Sequence, residues 1–223
     1  MNENEKSNIL ELYVSRLKNI KDPTILELGV NKGRSTRNFL DHINKFGGKL
    51  FSIDIKKAPK LLDEDKTKWN FLRSNDLDIE NILNNFPALK SGIDVLFIDS
   101  YHDETHVKKT LEKWFIYVKK NGYIYFDDTE SAVYRKNKNL FLSINNDAIN
   151  KLIYNIYCNN IDQLEYIKYF RKSGLSEFKK LSDLGNKLIL TNKVWNYNFI
   201  FSKIYLILKK IIYKLKSKDK IKY

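Results

Sequence analysis

The chain has 223 residues, with 40 Lys and Arg against 27 Asp and Glu, a net charge of +13, and 43% hydrophobic and 30% charged residues. That length suits one domain, that composition excludes wholesale disorder, and about 70% of the unfolded surface is buried at this size, so no disulfide or metal staple is needed. The lone cysteine, Cys158, excludes an intrachain disulfide.

No secretory signal is read at the start, so the expectation is a reducing cytoplasm. No apolar run of about 18 residues is free of charge, so no simple transmembrane helix is expected. The +13 suggests a polyanion partner until it is divided. From Lys193 to Tyr223 there are nine lysines and one acid, Asp219, so +8 sits in this tail and +5 in residues 1–192. The expected organisation is a domain over 1–192 and a basic amphipathic tail over 193–223.

The spacing of Ile9, Leu10, Leu12, Tyr13, Leu17 and Ile20 predicts a helix over residues 1–20, broken at Lys21-Asp22-Pro23. Thr24–Val30 reads as a buried strand ending near a glycine. An amphipathic helix follows to about Phe46, stopped by Gly47-Gly48. Leu50–Ile55, Trp69–Arg73 and Asp94–Asp99 are further strands. Thr105–Val118 reads as a helix. Asn121-Gly122 then turns into a fifth strand, Tyr123–Asp128. Strands and helices alternate at intervals of about 25 residues, the mark of βαβ units and a parallel sheet covered on both faces. After Asp128 the alternation stops, and Leu164–Phe170 and Lys187–Thr191 are expected as two late strands.

Ligands of an open parallel sheet bind beyond the carboxyl ends of its strands. Those ends carry Glu27 and Gly29, then Asp54, then Ser74, Asn75 and Asp76, then Asp99, then Asp127 and Asp128. Helix capping explains one or two of these, not the acids that end apolar strands at Asp54, Asp99 and Asp127. Glu27–Gly33 has two glycines but neither the Gly-x-Gly-x-x-Gly that cradles a pyrophosphate nor a Gly-Lys-Ser/Thr. Asp54 lies 25 residues after Gly29, where a carboxylate can accept from ribose hydroxyls. A nucleoside without a pyrophosphate fits this pattern.

On these residues the chain resembles class I S-adenosylmethionine-dependent methyltransferases over roughly Thr24–Thr191. Glu27–Thr36 looks like the family's first motif and Ser52-Ile53-Asp54 like its ribose-binding acid. Phe97–Val107 and Asn121–Thr129 look like the branch of metal-dependent sugar O-methyltransferases, rhamnosyl O-methyltransferases and cephalosporin-hydroxylase-like proteins. The resemblance implies a Rossmann-like, doubly wound α/β fold with a seven-stranded sheet, mostly parallel, whose last strand is antiparallel. It implies Glu27, Gly29, Gly33, Ser35 and Thr36 around the methionine part of S-adenosylmethionine, Asp54 on the ribose, and Ser74, Asn75 and Asp76 near the adenine. Asp99, Asp127 and Asp128 match the carboxylates that hold a divalent cation.

Physical chemistry bears on that last set. Three neighbouring carboxylates repel unless protonated or neutralised, and an all-oxygen site suits Mg²⁺, Mn²⁺ or Ca²⁺. Adjacent strand residues point to opposite faces, so Asp127 and Asp128 converge only where the strand has ended. His102, three residues past Asp99, stands where a general base is needed. Some sugar methyltransferases carry an acid as the base where this chain has Tyr101. His106 reads as a helix-starting residue, His42 as a surface residue and Cys158 as a packed apolar one.

In Val194–Lys216, Ile200, Phe201, Ile204, Tyr205, Ile207, Leu208, Ile211, Ile212 and Leu215 recur at helical spacing between lysines. This C-terminal helix reads as lying on an anionic membrane, the inner face of the cell's own, or as packing on a second copy or on the body. Nucleic acid is disfavoured by the absence of arginine and the large apolar face. The leading functional expectation is a metal-assisted O-methyltransferase acting on a sugar, glycan or related metabolite, as in polysaccharide biosynthesis. A hydrolase or hydroxylase-like enzyme and a non-catalytic docking protein are the alternatives.

Overall fold

The computed structural model describes residues 15–59 and 68–190, and residues 204, 205, 207–209 and 211 of the tail. Two compact units divide the chain, residues 1–192 and 193–223.

In the first unit, apolar segments form β1 (Thr24–Leu28), β2 (Lys49–Asp54), β3 (Trp69–Arg73), β4 (Ile93–Ile98) and β5 (Val118–Asp127). Between them run α1 (Arg34–Phe46), α2 (Ile79–Asn85) and α3 (Glu104–Trp114). After β5 come α4 (Ala132–Lys136), α5 (Leu140–Asn159), β6 (Leu164–Tyr169) and β7 (Leu175–Lys180). The seven strands lie in the order β3-β2-β1-β4-β5-β7-β6. The β1, β2, β3, β4 and β5 pairings are parallel, and β7 runs antiparallel to both β5 and β6. The order reverses between β1 and β4, and ligands of such sheets bind above that point.

Side-chain alternation divides the core between the two faces of the sheet. Leu26, Leu28, Ile53, Leu96, Ile98 and Phe126 join Leu111, Trp114, Ile149 and Ile153 in one apolar cluster. Ile25, Leu50, Val95, Phe97 and Tyr125 meet Phe39, Leu40 and Ile43 of α1 in the other.

Several sequence expectations are corrected. The expected helix over Thr105–Val118 ends at Trp114 and passes through a 3₁₀ turn, Phe115–Tyr117, because Val118 already pairs with Ile93 as a strand. Asn121-Gly122 is not a turn before β5 but an irregularity within it. The register steps there from Ile93/Val118 to Val95/Tyr123, and Asn121 takes φ +63°, as in a β-bulge. Lys187–Leu190 is not a strand; Thr191 lies outside the described residues. Asn160 holds that segment instead, accepting from Ile189 N–H at 2.8 Å and donating to Ile189 O at 2.9 Å. The antiparallel strand is Leu175–Lys180.

The 20-residue α5 is absent from the sequence reading. Its buried positions include Ser143 and Asn146 beside Ile149, Leu152, Ile153 and Ile156, and the polar members break up the apolar stripe. His42 is buried at 2% exposure against Phe46, not on the surface. Burial, then Lys18 and Lys45, lowers its pKa. Cys158 is half-buried on α5.

Of the expected N-terminal helix, residues 15–17 are helical and residues 1–14 lie outside the described part. The described tail residues are helical, with Ile204, Tyr205, Ile207, Leu208 and Ile211 exposed. Among the described residues no helix is long and apolar enough to cross a membrane.

Candidate active site

Above the β1/β4 switch point lies a cleft of about 620 Å³ lined by Gly29, Asn31, Asp54, Ser74, Asn75, Asp76, Asp99, His102, His106 and Asp128, among others. That volume falls within the range of small-ligand sites.

Gly29 closes β1 at φ +93°, with its N–H on Ile53 O at 2.9 Å. The loop after it is pinned from β2: Val30 and Asn31 N–H both donate to Asp54 Oδ2 at 2.9 Å, and Lys56 N–H donates to Asp54 Oδ1 at 2.8 Å. Burial alone would raise Asp54, but these three donors hold its pKa below the usual range. The residue expected to meet a ribose thus also builds the loop around it.

Glu27, Ser35 and Thr36 are placed differently. Glu27 faces α1, fully buried, and accepts from Ser35 Oγ at 2.5 Å, Thr36 Oγ1 at 2.8 Å and Ser52 Oγ at 2.6 Å. Burial pushes its pKa up to about 7 against the pull of those hydroxyls. Glu27, Gly33, Ser35 and Thr36 do not line the cleft; they tie the start of α1 to β1 and β2 beneath it.

Asp76, at 6% exposure, accepts from Ser100 Oγ at 2.6 Å and sits 2.9 Å from His106 Nε2. Trp114 Nε1 donates to its carbonyl at 2.9 Å. His106 therefore belongs to the cleft, as does Ser100, which the sequence reading omits. A signal was present: Asp103 caps α3 by accepting from His106 N–H, so His106 occupies the first turn, next to the strand end. Ser74 Oγ accepts from Asn81 and Asn75 Oδ1 from Leu77 N–H, so both polar groups also brace the cleft wall.

At the other end, His102 Nε2 stands 3.5 Å from Asp99 Oδ1 and 3.7 Å from Asp128 Oδ2. Asp99 is held well above the carboxylate range by burial, then by Asp127, Asp128 and Glu27. Burial and then Asp128 push Asp127 up to about 7. The strand has ended: β5 stops at Asp127 and Asp128 takes φ +52°. Asp128 thereby enters the cleft lining and Asp127 does not. Two of the three expected carboxylates thus flank His102. Among the described residues no group of three or more acids, histidines or cysteines is arranged to hold a metal ion. Tyr134 on α4, also unread in the sequence, hydrogen-bonds Asp128. Burial and that carboxylate push its phenol up to about 12.

The model of a methyltransferase domain family, type 24, matches residues 26–129, from β1 through the Asp127-Asp128 turn. Those residues carry a methyltransferase domain. An uncharacterized protein of Acanthamoeba polyphaga mimivirus is 29% identical over 183 residues, 76% of this chain and 79% of that one. Among solved structures, the MycE methyltransferase of the mycinamycin biosynthetic pathway, in complex with Mg, SAH and mycinamycin VI, has a TM-score of 0.53 at 15% identity. The match covers 85% of this chain, which spans about half (51%) of MycE. CalS11, a TDP-rhamnose 3'-O-methyltransferase of calicheamicin biosynthesis, has a TM-score of 0.57 at 13% identity over 80% of this chain and 81% of its own. At such identities the likeness to both structures is one of fold.

Proposed function

We propose that the methyltransferase moves a methyl group from S-adenosylmethionine to a hydroxyl of a sugar, glycan or related small metabolite. The observation that carries this reading is His102 standing between Asp99 and Asp128 on the cleft wall. The imidazole accepts the hydroxyl proton, and the Asp128 carboxylate beside it stabilises the imidazolium that results. The pinned loop at Gly29 and Asp54 orients the cofactor at the other end, so the two reactants meet in one cleft. The names of the structural neighbours, one a rhamnose O-methyltransferase, support the sugar class.

The donors around His102 fit a divalent cation. Asp99 and Asp128 supply hard oxygen donors, and the repulsion from Asp127 and Asp128 that helps raise Asp99 is what a cation would relieve. Asp99 and Asp128 would hold Mg²⁺ or Mn²⁺, with Asp127 behind them, and His102 stays free to take the proton. Such an ion would lower the pKa of the acceptor hydroxyl.

Asp76, Ser100 and His106 do not favour a hydrolase. Ser100 Oγ donates to Asp76 at 2.6 Å and stands 3.4 Å from His106 Nε2, the same nitrogen that meets Asp76 at 2.9 Å, so the three are not strung acid–imidazole–serine as a nucleophilic triad is. The basic tail is assigned to an anionic membrane surface, on the inner side of the membrane.

Calorimetry with S-adenosylhomocysteine tests the cofactor; failure to bind would favour the hydroxylase-like alternative. Mn²⁺ binding followed by electron paramagnetic resonance tests the cation. Product formation from S-adenosylmethionine over free deoxyhexoses and nucleotide sugars, with and without EDTA, tests the reaction. Full activity of Asp99→Ala in EDTA would remove the metal.

A further inference from the structure

Beside His102 the catalytic unit exposes an apolar surface that its own fold does not use. Leu140, Phe141 and Ile144, in the first turns of α5, are 72%, 69% and 57% exposed. The opposite face of the same turns is anchored, with Ser143 and Asn146 buried. Asn145 Nδ2 donates to His102 O at 3.3 Å. Phe141 lies one turn before Asn145 on the same side of the helix. The patch therefore stands on the His102 side of the cleft mouth.

It is also held rigidly. Asn139 caps α5 by accepting from Leu142 N–H at 3.1 Å, Asn139 N–H donates to Tyr134 O at 2.9 Å, and Arg135 pairs with Asp147. Large apolar side chains fixed outward in this way mark a contact surface.

The charge around the patch identifies the contact. From Ala132 to Asn159 there are four basic residues, Arg135, Lys136, Lys138 and Lys151, and one acid, Asp147. Lys136 and Lys138 are exposed and directly precede Leu140. A second copy packed patch to patch would bring its own Lys136 and Lys138 into the same seam, while the one acid of this stretch, Asp147, is already paired with Arg135. Nucleic acid would have no use for three protruding aliphatic and aromatic groups. An anionic bilayer accepts both features at once, with leucine, phenylalanine and isoleucine entering the acyl boundary and lysines meeting lipid phosphates.

We infer that the Leu140-Phe141-Ile144 patch with Lys136 and Lys138 docks the mouth of the cleft on an anionic membrane surface. The docking surface stands on this geometry alone. Its consequence, an acceptor hydroxyl carried on a membrane-anchored molecule, rests on the proposed function. The chemistry matches that of the tail, but the patch belongs to the catalytic unit.

The test uses the full chain and vesicles of phosphatidylcholine with or without phosphatidylglycerol. Phe141→Trp adds an indole at the patch. With phosphatidylglycerol present, its emission shifts to the blue relative to the parent chain and is quenched by brominated acyl chains. Replacing Lys136 and Lys138 by Gln weakens partitioning about tenfold or more. The triple change Leu140→Ser, Phe141→Ser, Ile144→Ser does at least the same. These side chains are exposed, so unchanged melting and S-adenosylhomocysteine binding report an intact fold.

An unshifted, unquenched indole on vesicles that still capture the chain would assign attachment to the tail alone and overturn the inference. Equal binding to neutral vesicles would do so as well. So would a dimer that the triple change dissolves, since a second copy would then cover the patch. Loss of S-adenosylhomocysteine binding by the parent chain would sink the proposed function and leave the vesicle result standing.

Discussion

Gly29 passes so close to Asp99 that a β-carbon on it would stand 2.1 Å from the Asp99 carbonyl oxygen. This contact joins the turn after β1 to the end of β4, at the acid that flanks His102. It is a steric demand rather than a capping preference, and φ +93° adds a second one. Gly29→Ala is expected to lower stability by about 1–3 kcal/mol and to weaken S-adenosylhomocysteine binding beyond detection. Thermal melting and calorimetry check the two effects together.

Asp54 accepts three backbone N–H bonds and carries the loop that lines the cleft. Asn in its place keeps one acceptor oxygen and turns an amide N–H toward donors. Asp54→Asn should destabilise the fold by about 1–3 kcal/mol and weaken cofactor binding at least about tenfold. Unchanged affinity in calorimetry would show that the loop holds without it.

Glu27 titrates near 7 in the folded chain and near 4.5 as an ordinary glutamate. Between those values the folded state holds a proton that the unfolded state has released. Its stability is therefore highest below 4.5 and falls as pH rises to 7, by an amount on the order of 3 kcal/mol. Glu27→Gln keeps an acceptor for the hydroxyls of Ser35, Thr36 and Ser52 without the charge. Its melting temperature should exceed the parent's at pH 8 and converge with it toward pH 5. A constant gap across that range would contradict this assignment.

His102 reaches the reacting hydroxyl in the proposed mechanism, whereas the cofactor loop does not depend on it. His102→Ala should lower methyl transfer about 10²–10⁴-fold and leave S-adenosylhomocysteine affinity unchanged. His106→Ala should do the reverse, since its imidazole meets Asp76 at the far end of the cleft. Single-turnover rates and binding isotherms for the pair separate the two ends.

The parallel half of the sheet was legible because its strands are near-continuous apolar runs with acids at their ends. Trp69–Arg73 was read with its observed bounds, and the β1, β2 and β4 bounds moved by one or two residues. The second half was harder. In β7, Glu177 is 2% exposed and Lys180 fully buried. Lys180 donates to Phe115 O at 3.1 Å and to Val118 O at 2.8 Å. A strand whose buried positions are charged does not show its period, and Lys187–Leu190 looked more strand-like because it is more apolar.

The sequence by itself determined the switch-point chemistry: a glycine-closed turn, an acid a helix later at Asp54, and acids ending β4 and β5. Strand ends and turns are local, so residue type and spacing reveal them. Which of those polar groups face the ligand was decided only by tertiary structure. Side-chain alternation turned Glu27 toward α1, where it draws in Ser35 and Thr36, and the positive φ of Asp128 separated it from Asp127. The same packing brought His106 onto Asp76, 30 residues away in the chain, and set α5 beside His102. Such pairings depend on the sheet order and on which helix face is buried, and neither is written in any single stretch of residues.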